Sequence, residues 1–177
     1  MVNSIKIYKN FSIDLKHKDS IILIGNFDGL HLGHQKLFKF AKNFKKKYSL
    51  KIGVLTFEPM PKMFFNKDLK NFRISNKNQK INLLKKYGVD FVIIKKFNKK
   101  FSKTKSINFI KNILHSKIKA KFIFVSNNFR FGKNREGNVK QLIKYESLYK
   151  FKLIKPKPLL KNKKIISSTF IRNLIEN

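Results

Sequence analysis

Cysteine is absent from the 177 residues of this chain, and so is tryptophan. The lack of cysteine excludes disulfides and thiolate metal sites, and it is compatible with a reducing compartment. No stretch approaches the roughly 18 apolar residues of a membrane span, and the start of the chain lacks the apolar core of a signal peptide. We therefore expect a cytoplasmic protein that does not associate with a membrane.

Acidic residues are scarce, since nine Asp and Glu stand against 42 Lys and Arg, and the formal net charge is +33. A charge of this sign suggests a polyanionic partner such as nucleic acid. The lysines are scattered through every segment, however, and abundant Lys, Asn, Ile and Phe are typical of an AT-rich genome. The longest basic runs, residues 45–47 and 161–164, are short, as solvated faces are. We therefore do not expect nucleic acid to be the partner, although the field would concentrate small anionic substrates.

Short apolar runs alternate with amphipathic stretches along the chain. The runs predict buried strands at residues 21–24, 51–57, 90–94, 122–125 and 151–154, with an edge strand at 5–8 and a short strand at 165–166. The amphipathic stretches predict helices over residues 33–48, from a cap at 75 or 76 to a stop at Gly88, over 106–114, over 139–149, and at the end of the chain. This alternation predicts one α/β domain over residues 1–177, with a Rossmann-like parallel sheet and helices on both faces.

Four loops of unusual composition follow predicted strands. They begin near Gly25, Glu58, Ser126 and Ser167. Parallel sheets bind ligands beyond the carboxyl ends of their strands, so we expect these loops to form the ligand site.

The loop after the first buried strand contains two histidines, His31 and His34, on either side of Gly33. At the start of a helix they project on one side, next to free backbone N–H groups, and this arrangement favours phosphate binding. The alternatives are that each histidine has a structural role or that the pair binds a metal ion. The surrounding residues 28–34 favour a role in phosphate binding. The loop is not a P-loop, which needs Lys-Ser or Lys-Thr after its last glycine.

Near the end of the chain, Ser167, Ser168 and Thr169 precede Arg172 by a helical turn. Hydroxyls, helix amides and a guanidinium form a second possible phosphate clamp. Alone, this segment would be an ordinary helix cap with a surface arginine. Together with the histidine pair, it favours the binding of a triphosphate.

These two segments resemble those of the nucleotidylyltransferase superfamily. Residues 25–35, 56–61 and 128–132 in addition resemble bacterial FAD synthetase, the FMN adenylyltransferase module that is usually fused to a riboflavin kinase. The chain departs from that family's pattern at Met60, where histidine is common, and at Ser126, where glycine is usual. The kinase module that typically follows in this family would lie beyond Asn177. Two alternatives are open: the sequence is part of a longer protein, or the protein performs only the adenylyl transfer and a separate riboflavin kinase acts upstream.

The resemblance implies that FMN attacks ATP, releasing pyrophosphate and giving FAD. It also implies Mg²⁺ bound with ATP, for which we assign no protein ligand. It implies catalytic roles for His31, His34 and Arg172. It implies ATP binding by Gly25, Asn26, Phe27, Asp28, Gly29, Gly33, Ser168 and Thr169. It implies FMN binding by Pro59, Pro61, Asn128, Phe129, Arg130 and Phe131. The alternatives are a nucleotidylyltransferase with another phosphorylated acceptor and a non-catalytic, basic RNA-binding relative.

Overall fold

The computed structural model describes residues 5–69, 72–157, 160–161, 164–165, 168 and 171–172. Its strands are β1 (Lys6–Tyr8), β2 (Ile21–Ile24), β3 (Ile52–Glu58), β4 (Phe91–Lys96), β5 (Phe122–Phe124), β6 (Arg130–Phe131), β7 (Gly137–Asn138), β8 (Lys152–Ile154), β9 (Leu160–Lys161) and β10 (Lys164–Ile165). Six of them form a parallel sheet in the order β1-β4-β3-β2-β5-β8. The pairs β6–β7 and β9–β10 form two small antiparallel ladders.

Helices connect most of the parallel strands. They are α1 (Leu32–Tyr48), α2 (Pro61–Phe65), α3 (Lys77–Lys86), α4 (Lys99–Ser102), α5 (Ser106–Asn108), which continues as a π-helix over Phe109–Lys117, and α6 (Val139–Lys144). None of the helices in the described part of the chain has both the length and the apolarity that a bilayer crossing requires.

Both faces of the parallel sheet are buried, which explains why its central strands are apolar at successive positions. On one face, Ile21 and Leu23 of β2 pack with Phe38 and Ala41 of α1 and with Leu84 of α3. On the other face, the alternate strand residues pack against the π-helix and α6. That second core includes Ile22, Ile24, Leu55, Ile123, Ile110, Leu114 and Leu142. The predicted parallel sheet with helices on both faces is therefore confirmed.

Two helices differ from their prediction. The helix over 106–114 becomes a π-helix, in which the N–H of Ile118 bonds to the carbonyl of Ile113 five residues back. Spacings of four and five residues between the buried Phe109, Ile113 and Ile118 suit such a wide turn. The helix over 139–149 ends at Lys144. Its last residues turn back toward β8, where the Glu146 carboxylate accepts a hydrogen bond from the backbone of β8.

In the parallel sheet, β3 and β4 lie on one side of β2, and β5 and β8 lie on the other side. The chain adds β3 and β4 first and then returns to place β5 on the other side of β2. The loops after β2 and β5 therefore diverge, and they leave a crevice at the carboxyl ends of these strands, where open α/β sheets bind ligands.

Candidate active site

The loop that joins β2 to α1, residues 25–31, is here called the histidine turn. Its backbone is left-handed at Phe27 (φ 48°), Gly29 (φ 74°) and Leu30 (φ 36°). A Cβ at Gly29 would lie 2.6 Å from Cγ2 of Ile74, so both the backbone and the available space require glycine there. This tight turn fixes the direction in which α1 starts.

Hydrogen bonds attach the start of the histidine turn to the neighbouring strand β3. The N–H of Gly25 donates to the carbonyl of Leu55 at 3.1 Å. The carbonyl of Asn26 accepts a hydrogen bond from the Thr56 hydroxyl at 3.4 Å. The turn is therefore held at the same edge of the sheet as the loop that follows β3.

The two histidines stack on each other at the beginning of α1, with Gly33 between them in the first turn of the helix. The ring centroids of His31 and His34 are 3.8 Å apart, and the Phe27 ring lies edge-on to His34 at 5.1 Å. Burial lowers the pKa of His31, with a smaller contribution from the positive charge of Arg172. Burial lowers the pKa of His34 to about 3. Both imidazoles are therefore neutral at physiological pH.

The Nδ1 atoms of His31 and His34 are buried, and within the described ranges neither has a hydrogen-bond partner. Buried polar atoms without a partner are rare in folded proteins and call for an explanation such as a bound ligand. A phosphate brought to this pair would raise the pKa of both rings and favour their protonated form.

Asp28 connects the histidine turn to two distant parts of the chain. Its side chain is 1% exposed and accepts hydrogen bonds from the N–H groups of Ile74 and Ser75, from the Ser75 hydroxyl and from Nη2 of Arg172, at 2.8 to 3.2 Å. Burial by itself raises the pKa of Asp28, but the hydrogen bonds from Ile74, Arg172 and Ser75 hold it below its usual value. The carboxylate is ionised, and its acceptor sites are occupied by protein donors.

Arg172 is fixed by three contacts. Its Nη2 pairs with Asp28 at 2.8 Å, its Nε donates to the carbonyl of Phe72 at 2.7 Å, and its guanidinium carbon lies 3.8 Å from the centroid of the Phe72 ring. The hydroxyl of Ser168 donates to the Asp28 carbonyl at 3.4 Å. The structure thus brings Ser168 and Arg172 to the histidine turn, whereas Thr169 lies outside the described residues.

Lys80 is a residue of this region that the sequence analysis did not select. It is 6% exposed and lies on α3 one turn before the buried Leu84. Residues four apart share a helix face, so the signal in the sequence is a lysine on an apolar face. Its helix begins two residues after Ser75, which donates hydrogen bonds to the Asp28 carboxylate. Leu84 packs in the same cluster as Phe27 of the histidine turn, so Lys80 lies near this turn.

The loop after β3 begins at Glu58, which forms an ion pair with Arg73. The Glu58–Pro59 peptide bond is cis, and Pro61 is the first residue of α2. Met60, at the position where the family commonly has histidine, is 1% exposed, so this side chain packs in the core.

A cavity of about 440 Å³, here called the aromatic cavity, lies between the loops that follow β3, β4 and β5. Its aromatic lining consists of Phe57, Phe65, Phe97, Phe101, Phe109, Phe129 and Phe131. Lys62, Arg130 and Arg135 also line it and give it a positive charge. Because β3 and β5 are the two neighbours of β2, this cavity flanks the histidine turn.

Four of the residues predicted to bind FMN line the aromatic cavity: Pro61, Phe129, Arg130 and Phe131. The rings of Phe129 and Phe131 are stacked with their centroids 5.5 Å apart. Pro59 and Asn128 are not among its lining residues, and the Asn128 side chain accepts a hydrogen bond from the hydroxyl of Ser126 at 2.9 Å. Sequence analysis missed the other five phenylalanines because, in a chain with 19 of them, core and ligand-binding rings look alike.

No cluster of three or more His, Asp or Glu side chains suited to a metal ion occurs in the part of the chain that the structure describes. The two carboxylates nearest the site, Asp28 and Glu58, are each paired with an arginine. A divalent cation would therefore have to be held by its ligand and by water.

Comparison with solved structures agrees with this architecture. A crystal structure of pantoate-beta-alanine ligase from Francisella tularensis superposes with a TM-score of 0.61 at 16% identity, covering 95% of this chain and 73% of that one, and shows the fold alone. A Streptococcus pneumoniae structure described as a macrolide-efflux protein gives a TM-score of 0.82 at 28% identity, covering 97% of this chain and 56% of that one. The chain thus shares its α/β fold with these two proteins.

Sequence comparison identifies the family. The family model described as FAD synthetase matches residues 13–170, and the chain belongs to this family. A bifunctional riboflavin kinase/FMN adenylyltransferase from Buchnera aphidicola (subsp. Acyrthosiphon pisum) is 43% identical over 159 residues, which are 90% of this chain and 51% of that protein. The chain spans about half the length of the curated relatives it matches.

Proposed function

We propose that this chain is an FMN adenylyltransferase, which transfers AMP from ATP to FMN and releases pyrophosphate. The observation that carries the proposal is the aromatic cavity beside the histidine turn, in a member of the FAD synthetase family. A flat apolar ring system fits a cavity of this size and lining. The neighbouring turn offers helix N–H groups, two imidazoles and an arginine to a nucleotide triphosphate.

In the proposed reaction an oxygen of the FMN phosphate attacks the α-phosphorus of ATP. The bond from that phosphorus to the bridging oxygen breaks, and its electrons leave with pyrophosphate. No protein nucleophile is required, so catalysis depends on in-line positioning and on stabilising charge in the transition state. His31 and His34 supply hydrogen bonds to the phosphates, and Arg172 supplies a fixed positive charge.

Gly25, Asn26, Phe27, Asp28, Gly29 and Gly33 are proposed to shape the ATP side. Asp28 is proposed to act indirectly, by holding other residues of the site in place, because its carboxylate already accepts hydrogen bonds from Ser75, Ile74 and Arg172. Ser168 and Thr169 are proposed to contact the phosphates together with Arg172. Mg²⁺ would be held here by the nucleotide and not by the nearby carboxylates, which are paired with arginines, and it would supply positive charge to the phosphates.

On the FMN side, the stacked Phe129 and Phe131 and the ring of Phe65, which is 70% exposed, offer apolar surfaces to the isoalloxazine. Arg130 lies in the same lining and is suited to the FMN phosphate. Pro61 lines the cavity directly, whereas Pro59 and Asn128 would act by shaping their loops. The acceptor must carry a phosphate, so a riboflavin kinase has to act before this step. The proposal includes a cytoplasmic location, where the ATP it consumes is available.

The test is to incubate the chain with FMN, ATP and Mg²⁺ and to measure FAD and pyrophosphate by chromatography. We expect both products in equal amounts, and none when riboflavin replaces FMN. His31→Ala should reduce turnover by roughly two orders of magnitude or more, as loss of a transition-state hydrogen-bond donor does. Adenylylation of a different phosphorylated acceptor, with FMN unchanged, would contradict the choice of substrate and leave the reaction type intact.

A further inference from the structure

Lys80 has a largely buried side chain, and its ammonium has no counter-ion in the described part of the chain. Its side chain belongs to a residue only 6% exposed. None of the four ion pairs formed by described residues includes it, and its ammonium makes no hydrogen bond to them. The buried side chains of His17, Ser20, Asp28 and Ser75, by contrast, all make hydrogen bonds.

The charged and titratable groups that face Lys80 are Asp28, Glu58, Arg73 and His34. Asp28 is paired with an arginine, and so is Glu58. The two nearest anions are therefore already neutralised, and the cationic groups outnumber them. The environment of Lys80 is one in which a further negative charge would be favourable.

The position of Lys80 in the fold indicates which kind of anion would bind to its ammonium. His34 belongs to the proposed ATP side, and Glu58 begins the loop that leads to the aromatic cavity. The segment just before α3 joins the two sides, because Arg73 pairs with Glu58 and Ser75 donates a hydrogen bond to Asp28. Lys80, near the start of α3, thus lies where the two halves of the site meet. Burial lowers the pKa of its ammonium. An isolated buried charge is costly for a fold, and charges of this kind are normally paired or engaged by a ligand.

We propose that the Lys80 ammonium binds a phosphate group of the reactants at the junction of the ATP and FMN sides, and that it is a further catalytic residue. This inference rests on the proposed function, because that function places phosphates there. The phosphate belongs either to ATP or to the acceptor. Binding measurements separate the two sources.

The experiment compares Lys80→Met, Lys80→Arg and the control Lys86→Met with the unmodified chain. Lys86 is exposed on the same helix. Each protein is melted without ligand, and its affinities for Mg²⁺–ATP, FMN and riboflavin are measured by titration calorimetry or flavin fluorescence. Riboflavin shares the ring system of FMN and lacks its phosphate.

We expect Lys80→Met to melt at the same temperature as the unmodified chain or higher, because an unpaired charge on a largely buried side chain is removed. We expect it to bind one phosphate ligand roughly ten- to a hundredfold more weakly, as loss of a charged hydrogen bond does. A loss confined to ATP identifies the nucleotide, and a loss for FMN but not riboflavin identifies the acceptor phosphate. Lys80→Arg should retain most of the affinity, and Lys86→Met should change nothing.

Unchanged affinity of Lys80→Met for both ATP and FMN would overturn the proposal. So would a lowered melting temperature accompanied by equal losses for FMN and riboflavin, because that pattern belongs to a structural lysine. The test is independent of turnover: if the unmodified chain makes no FAD, the proposed reaction fails, whereas a loss of ATP affinity on removing Lys80 still supports the phosphate contact.

Discussion

Replacing Asp28 by Asn tests whether this carboxylate holds the site together. The substitution keeps the size of the side chain but removes its charge, and it places an amide N–H₂ among donors. The Arg172 side chain, which is 13% exposed, loses its counter-ion. Removing one partner of a buried ion pair costs about 3–5 kcal/mol, which is a large fraction of the roughly 5–15 kcal/mol that stabilises a domain.

The measurement is urea unfolding of Asp28→Asn, Arg172→Gln and the double variant, with the midpoint and slope fitted for each. Since the two side chains are in direct contact, we expect a coupling free energy of about 1–3 kcal/mol, so that the double variant is more stable than additivity requires. Lys152→Met is the control. The Lys152 side chain is 72% exposed, and its ammonium lies 3.5 Å from the Glu146 carboxylate. Its loss should change the free energy of unfolding by about 1 kcal/mol at most.

A loss of less than about 1 kcal/mol in Asp28→Asn would contradict the buried-pair argument, and zero coupling with Arg172 would contradict the contact itself. A stability loss of the expected size with normal coupling would support both. If the variant still binds ATP with unchanged affinity at low temperature, Asp28 contributes to the fold and not to nucleotide binding.

Two further predictions concern the histidine turn and the start of α1. The pKa of His34 falls from 6.5 to about 3 on folding, so as the pH decreases the imidazole is protonated first in the unfolded chain. The folded state therefore loses stability as the pH falls below about 6.5. This loss in the free energy of unfolding should amount to about 2 kcal/mol between pH 7 and pH 5. His34→Gln should remove that part of the slope in urea unfolding, and an identical slope in both proteins would contradict the shift. Gly29→Ala should lower the free energy of unfolding by about 1–3 kcal/mol, because its Cβ would meet Ile74 and its φ is +74°; a loss below about 0.5 kcal/mol would show that the turn relaxes.

The sheet and the start of the site were predictable because their signals are local. The run Ile21–Ile24 is buried at all four positions, as an uninterrupted apolar run predicts for a central parallel strand. The histidines begin a helix, as the glycine-containing loop before them indicates. The motifs in the loops predicted membership of the FAD synthetase family, and the match of the family model confirmed it.

The partners of the site residues were not predictable, because they depend on tertiary packing. Asp28 receives hydrogen bonds from Ile74 and Ser75, 46 and 47 residues away, and from Arg172, 144 residues away. No local pattern reports such contacts. Lys80 was missed for another reason, since one lysine among so many does not stand out unless its helix face is examined.

The separation of Asp28 and Arg172 along the chain bears on how the protein is made. Domains are synthesised from the N-terminus, and the ribosome adds about 5–20 residues each second. All six strands of the parallel sheet have been synthesised once Ile154 is added, while Arg172 is still to come. Until Arg172 is added, Asp28 lacks the cation that it pairs with in the complete domain. A chain that terminated just after β8 would therefore contain all six strands of the sheet and lack the arginine of the nucleotide side.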